Sequence, residues 1–251
     1  MLPPEVFLIF SYRAVFVNGR GRFFVEMRYI LLALVSVICY NSKSETEVDI
    51  EMAKLYFKYG AMGSSKTAQA LITKYNYEEN DLNVWLIKPS ADTRDGVSIL
   101  RSRIGLEAEC EVIAPEVDLY TRFLGGRVRR CDVIIADEAQ FFTPEQIEQL
   151  RSIVNEHSIP VLCFGLRTDF QTKLFPGSMR LMELADCIEE IKTMCDCGAK
   201  ATINARINDG YIVTEGAQVV LGGNDSYIAM CHRCYIQGIR EHKKIKLHGQ
   251  N

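Results

Sequence analysis

The stretch GAMGSSKT, residues 60–67, has the spacing of a phosphate-binding loop, G-x-x-x-x-G-K-[ST], except that Ser65 stands at the second glycine. Such a loop points successive backbone N–H groups at an anion near a helix N-terminus, and the lysine completes the site. Ser65 must either accept the glycine's backbone shape, which at positive φ costs roughly 1–2 kcal/mol, or shift it slightly. Taken alone, the octamer fits either a nucleotide site or an ordinary Gly/Ser turn. A second feature favours the nucleotide site. VIIADEAQ, residues 133–140, ends an apolar run with Asp137 and Glu138. Carboxylates at the carboxyl end of a central strand face the crevice where α/β folds bind ligands. One can hold Mg²⁺ together with the Thr67 hydroxyl, usually through water. The other can take a proton from an attacking hydroxyl. Loop and carboxylates follow in the expected order, about 70 residues apart.

Other segments carry chemistry with two readings each. Asp92 and Arg94 in KPSADTRDG (88–96) fit a solvated loop pair, or they reach a phosphoryl group, which arginine matches well. Phe170 and Phe175 lie in the long GLRTDFQTKLFPGS segment (165–178), where two rings can fill a core or stack on a flat base. Tyr227 follows a glycine pair in GGNDSYIAM (222–230). Cys195 and Cys197 form a C-x-C pair, and Cys231 and Cys234 a C-x-x-C pair. Two close pairs suit a tetrahedral four-thiolate Zn²⁺ site, which leaves no open position for catalysis and so holds a loop. His232 lies between the second pair and is expected to point away. Cys39, Cys110, Cys131, Cys163 and Cys187 sit singly in apolar stretches, as small buried thiols in a reducing compartment do.

The elements that must position these groups read as an alternation. KLYFKYG (54–60) is a strand, and a helix runs from Lys66 to about Asn76. NVWLIKP (83–89) and ECEVIA (109–114) are strands, and VDLYTRFLGG (117–126) is helical up to its glycines. CDVIIADE (131–138) and IPVLCFG (159–165) are continuous apolar runs, as buried parallel strands are. TPEQIEQLRSIVNEH (143–157) carries a capping box through Thr143 and Gln146, with Pro144 in the first turn. Its buried stripe is Ile147, Leu150, Ile153 and Val154. This pattern predicts an α/β fold with a parallel sheet over residues 52–193. The alternation then stops, and residues 194–236 read as a small zinc-bearing domain, followed by a polar tail at 237–251. IPVLCFG is expected to be the last parallel strand.

The chain has 251 residues, 48% of them hydrophobic, with a net charge of −3. That balance calls for neither nucleic acid nor an anionic membrane as a partner. Residues 1–51 differ in character from the rest. YILLALVSVICY (29–40) is shorter than the about 20 residues a spanning helix needs. Its length and the basic residues before it suit a signal-peptide core, but no small-x-small site follows. We expect residues 1–51 to be a dispensable or misassigned extension of a domain that opens at Met52.

Taken together, the phosphate loop, DE-x-Q-F (Asp137, Glu138, Gln140, Phe141), CFGLRTDF, the two cysteine pairs and GGN-x-x-Y resemble, in this order, the thymidine kinases of the zinc-containing type. The resemblance runs from about Lys54 to Tyr235. It implies a P-loop kinase domain with a small C-terminal zinc-ribbon or lasso domain. The implied reaction is transfer of the γ-phosphoryl of ATP to the 5′-hydroxyl of thymidine, with dTTP as feedback inhibitor, in a cytoplasmic homotetramer. Glu138 matches the general base. Gly60, Ala61, Met62, Gly63, Ser64, Ser65, Lys66 and Thr67, with Asp137, Glu138, Ala139 and Gln140, match the ATP site, Thr67 and Asp137 serving Mg²⁺. Asp92 and Arg94 match a D-x-R element near the substrate hydroxyl and phosphate. Met62, Phe141, Leu166, Phe170, Phe175 and Tyr227 match positions lining the thymidine pocket, closed by a lasso between Ile207 and Tyr227. Ser65 and the N-terminal extension depart from the family pattern. Two rivals remain in the sequence. DEAQ also occurs in nucleic-acid helicases, although those need two α/β lobes and a basic channel. A zinc-binding interaction module with a decayed loop is the other.

Overall fold

The computed structural model describes residues 53–92, 98–125, 130–218 and 226–245. Its centre is a parallel sheet built from β1 (Leu55–Tyr59), β2 (Val84–Pro89), β5 (Glu111–Ile113), β6 (Val133–Ala136), β7 (Val161–Gly165) and β8 (Cys187–Glu190). The strands lie side by side in the order β5-β2-β6-β7-β1-β8. Between β2 and β5 in the chain, β3 (Ile99–Arg101) and β4 (Glu107–Glu109) form a separate antiparallel hairpin.

Alternation along the central strands sends successive side chains to opposite faces, and both faces are covered. Leu55, Phe57, Trp85, Ile87, Ile134, Ala136, Val161 and Cys163 pack on one side with α2 (Leu119–Leu124), α3 (Pro144–His157) and α4 (Pro176–Leu184). Leu86, Val133, Ile135, Leu162 and Phe164 pack on the other with Ala70 and Leu71 of α1 (Lys66–Glu78) and Leu100 of β3. Two covered faces explain why these strands carry apolar runs rather than polar–apolar alternation. The capping box of α3 forms as the sequence predicts. Thr143 Oγ1 accepts from Gln146 N at 3.2 Å, and Thr143 N donates back to Gln146 Oε1 at 3.2 Å. Ile147, Leu150, Ile153 and Val154 are buried on that helix.

Three differences from the sequence reading appear. β7 is not the last parallel strand, because β8 pairs in parallel with β1, from Tyr56 opposite Cys187 to Tyr59 opposite Glu190. β8 is an edge strand with one neighbour, so CIEE needs no continuous apolar run. Cys187 on it is only partly buried, unlike Cys110, Cys131 and Cys163. Finally, the stretch read as a polar tail begins inside helix α5 (His232–Arg240) and is packed as far as Ile245: Ile245 N donates to Gly210 O at 2.7 Å, and the His242 ring stacks on Tyr211 at 4.4 Å.

Beyond β8, short β9 (Thr193–Met194) and β10 (Lys200–Ala201) pair with each other. β11 (Ile203–Asn208) pairs with β12 (Tyr211–Ile212) on one edge and β13 (Ser226–Met230) on the other. Ile203, Ala205 and Ile207 join Met230 and Tyr235 in a small core of their own. The alternate residues of β11, Asn204 and Arg206, are polar yet also buried, because they face the larger sheet's loops.

Candidate active site

The carboxyl ends of β1, β7 and β6 lie side by side, so the loops leaving them converge. The loop after β1 turns tightly. A Cβ on Gly60 would sit 2.4 Å from both Ile191 O and Ser64 Oγ, so only glycine fits there. Gly63 (φ 76°) and Ser65 (φ 62°, ψ 25°) are left-handed. Ser65 therefore accepts the backbone shape that the missing glycine would take freely. Lys66 opens α1, and its Nζ donates to Gly60 O and Ala61 O, both at 3.0 Å, and to Ser64 Oγ at 3.3 Å. A buried ammonium tied to the loop in this way lies at the helix N-terminus, where the loop amides and dipole also favour an anion.

Asp137 and Glu138 leave the end of β6. Thr67 Oγ1 donates to Asp137 Oδ2 at 2.7 Å, which joins the two groups the sequence assigns to a divalent cation. Burial first, and the neighbouring Glu138 charge second, push the Asp137 carboxyl above the usual carboxylate range. A hydroxyl and a desolvated carboxylate in contact are hard oxygen donors of the kind Mg²⁺ takes. Glu138 is held at φ 49°, a strained conformation for a residue with a Cβ and one that clusters at working sites. Its Oε2 accepts from Gln140 Nε2 at 2.5 Å, while Gln140 Oε1 accepts from Leu166 N at 2.9 Å. Gln140 is 1% exposed, so it locks the Glu138 carboxylate to the start of the loop after β7.

A cavity of about 880 Å³ opens over these groups. Met62, Gly63, Ser65, Lys66 and Thr67 of the phosphate loop line it together with Glu138, Gln140, Asp92 and the apolar or aromatic side chains of Phe141, Leu166, Phe170, Phe175 and Tyr227. Phe141 and Phe175 meet edge to face, with ring centroids 5.5 Å apart. Gly60, Ala61, Ser64, Asp137 and Ala139 are not among its lining residues; Ser64, Asp137 and Ala139 are buried behind the surface. Arg94 lies outside the described residues.

Several lining groups escape the sequence reading. Asn204 Oδ1 accepts from Met62 N at 2.7 Å and Asn204 Nδ2 donates to Thr168 O at 3.0 Å, clamping the phosphate loop to the loop after β7. The Arg206 guanidinium lies 3.7 Å over the Phe170 ring, and its Nε donates to Tyr227 Oη at 2.8 Å. Asn204 and Arg206 alternate with isoleucine and alanine in INARIN, and that polar stripe is the one available signal. Lys88 is fully buried at the end of β2, 3.7 Å from Asp92 and donating to Ile99 O at 2.9 Å.

The thiol sulfurs of Cys195, Cys197, Cys231 and Cys234 all lie within 4.8 Å of one another. Four thiolates 2.3 Å from a tetrahedral Zn²⁺ would be about 3.8 Å apart, so the cluster fits that ion. Hydrogen bonding to Cys197 and then Cys231 pushes the Cys234 thiol up to about 12. His232 is exposed and takes no part.

The thymidine kinase family model matches residues 53–235. The chain belongs to the thymidine kinase family. It is 45% identical to the thymidine kinase of Pasteurella multocida over 192 residues, 75% of this chain and 99% of that one. Against the thymidine kinase of Chromobacterium violaceum it is 46% identical over 185 residues, 73% of this chain and 98% of the other. The Haemophilus influenzae thymidine kinase shares 42% over 186 residues, 73% and 96% of the two chains. Among solved structures, the Pif1 helicase of Candida albicans superposes at a TM-score of 0.33 and 14% identity, covering 70% of this chain and 40% of the helicase, too weak a likeness to bear on fold or function. No helix among the described residues is long and apolar enough to cross a membrane.

Proposed function

We propose that the protein transfers the γ-phosphoryl group of ATP to the 5′-hydroxyl of thymidine, giving dTMP and ADP. The observation that carries this reading is one cavity lined by the phosphate loop, by Glu138 and by a set of aromatic side chains. Phosphoryl transfer needs alignment and charge neutralisation more than covalent chemistry. The amides of residues 60–67 and the Lys66 ammonium hold the phosphates. Thr67 and Asp137 would hold a Mg²⁺ ion, which would neutralise phosphate charge. Glu138 takes the proton from the 5′-hydroxyl, and Gln140 keeps its carboxylate aimed. Met62, Phe141, Leu166, Phe170, Phe175 and Tyr227 surround the base, and Asp92 and Arg94 serve the hydroxyl end of the substrate. Arg206 holds Phe170 and Tyr227 in place.

Residues 52–193 are the nucleotide-binding domain in this reading, and residues 194–236 a lasso whose fold is held by Zn²⁺ on the four cysteines. The enzyme works as a cytoplasmic homotetramer inhibited by dTTP, and residues 1–51 are dispensable. ATP consumption measured with thymidine, with RNA and with neither tests the reading. We expect consumption only with thymidine. Consumption that depends on RNA, or on no acceptor, would contradict it.

A further inference from the structure

We infer that Arg103 is a further catalytic residue of this site, contacting the phosphoryl oxygens of ATP from the side opposite Lys66. The inference rests on the kinase reading above and adds a group to it. Arg103 sits in the turn of the β3–β4 hairpin, which is anchored to the sheet and α1 at its base and closed on itself at its tip. At the base, Leu100 is buried against Ala70 and Leu71 of α1, and Lys88 Nζ donates to Ile99 O at 2.9 Å. At the tip, Ser102 N donates to Leu106 O at 2.8 Å, Leu106 N donates to Ser102 Oγ at 3.0 Å, and Gly105 N donates to Ser102 O at 3.1 Å. The hairpin is thus anchored on α1 at its base, and at its tip the Arg103 side chain comes close to Gly63 of the phosphate loop.

The two arginines of this arm are treated differently. Arg101 is neutralised by Glu107, with Nη2 and Nε 2.8 and 2.9 Å from the carboxylate. Arg103 lines the cavity with Lys66, Thr67 and Glu138, and its Nη1 lies 3.9 Å from where a Cβ on Gly63 would be. No hydrogen bond or ion pair joins its guanidinium to another described residue. A guanidinium over the open side of a phosphate loop, with only a glycine beneath it, has space and geometry for a two-pronged contact with phosphate oxygens. Charge points the same way. An arginine that neutralises the charge of the migrating phosphoryl group lowers the barrier directly.

The test compares wild type, Arg103→Ala and Arg103→Lys by steady-state kinetics with ATP and thymidine, and by calorimetric titration with ATP·Mg²⁺ alone. For Arg103→Ala we expect kcat/KM for ATP to fall by about 10²–10³, below the range for an arginine finger supplied in trans because Lys66 remains. ATP affinity should fall about tenfold, and KM for thymidine should stay within threefold. Arg103→Lys should recover part of the loss, because a point charge restores attraction without the planar fork. A general distortion of the hairpin would give no such partial rescue and would raise KM for thymidine as well. Wild-type ATP affinity together with wild-type kcat/KM in Arg103→Ala would overturn the inference while leaving the kinase reading intact. If wild type does not phosphorylate thymidine yet Arg103→Ala loses ATP affinity, the phosphate contact stands and the kinase reading falls.

Discussion

Ser65 is where the sequence breaks the phosphate-loop pattern, and Ser65→Gly measures what the break costs. The residue sits at φ 62°, its side chain is exposed and it makes no capping hydrogen bond to α1. Removing the side chain therefore forfeits no contact. Relief of the left-handed conformation is worth roughly 1–2 kcal/mol. The greater freedom of glycine in the unfolded chain takes back about 0.4–1 kcal/mol. The net is a stabilisation of about 0.8 kcal/mol, or about 2–3 °C in thermal midpoint for a folded part of some 200 residues. Because the loop already has the glycine-like shape, kcat/KM for ATP should change less than twofold. Scanning calorimetry and steady-state kinetics on Ser65→Gly and Ser65→Ala check both parts, the alanine variant gaining nothing because it keeps the Cβ. A lowered midpoint in Ser65→Gly, or a tenfold change in kcat/KM, would refute the reasoning, since either means that the serine side chain contributes something beyond strain.

Two other perturbations reach different parts of the site. Gln140→Ala leaves the Glu138 carboxylate and the Leu166 N–H without their shared partner, and unfolding in urea should show a loss of about 1–3 kcal/mol, the desolvation penalty of buried groups left unmade. Mass spectrometry under native conditions should find one Zn²⁺ per chain. Stripping that ion with a chelator, or replacing Cys231 with serine, should open residues 194–236 to limited proteolysis well before the parallel sheet.

What could be read from the sequence follows from how strongly each segment is constrained by its own neighbours. β6 and β7 are buried on both faces, so their composition alone marks them, and the α3 capping box is a purely local pattern. The loop, the two carboxylates and the cysteine pairs are legible for the same reason: their chemistry depends on close spacing. β8 is not legible, because an edge strand has one partner and carries CIEE without penalty. The three-residue strands of the β3–β4 hairpin are too short to show a period. Lys88, Arg103, Asn204 and Arg206 become meaningful only when distant segments meet. Arg206 on β11 touches Phe170, which lies 36 positions earlier in the chain and beyond β7. Nothing within INARIN announces that ring.

The central claim is that Glu138, held by Gln140 in the cavity lined by the phosphate loop and the aromatic side chains, carries out phosphoryl transfer to thymidine. The most direct measurement incubates γ-labelled ATP and thymidine with wild type and with Glu138→Gln, and follows label into dTMP. Wild type should form labelled dTMP, and the variant should do so with kcat lower by about 10²–10⁴, the range for loss of a general base, at nearly unchanged ATP affinity. Label appearing in dTMP at near-normal rates with Glu138→Gln would remove Glu138 from that role, and no labelled dTMP from wild type would contradict the function itself.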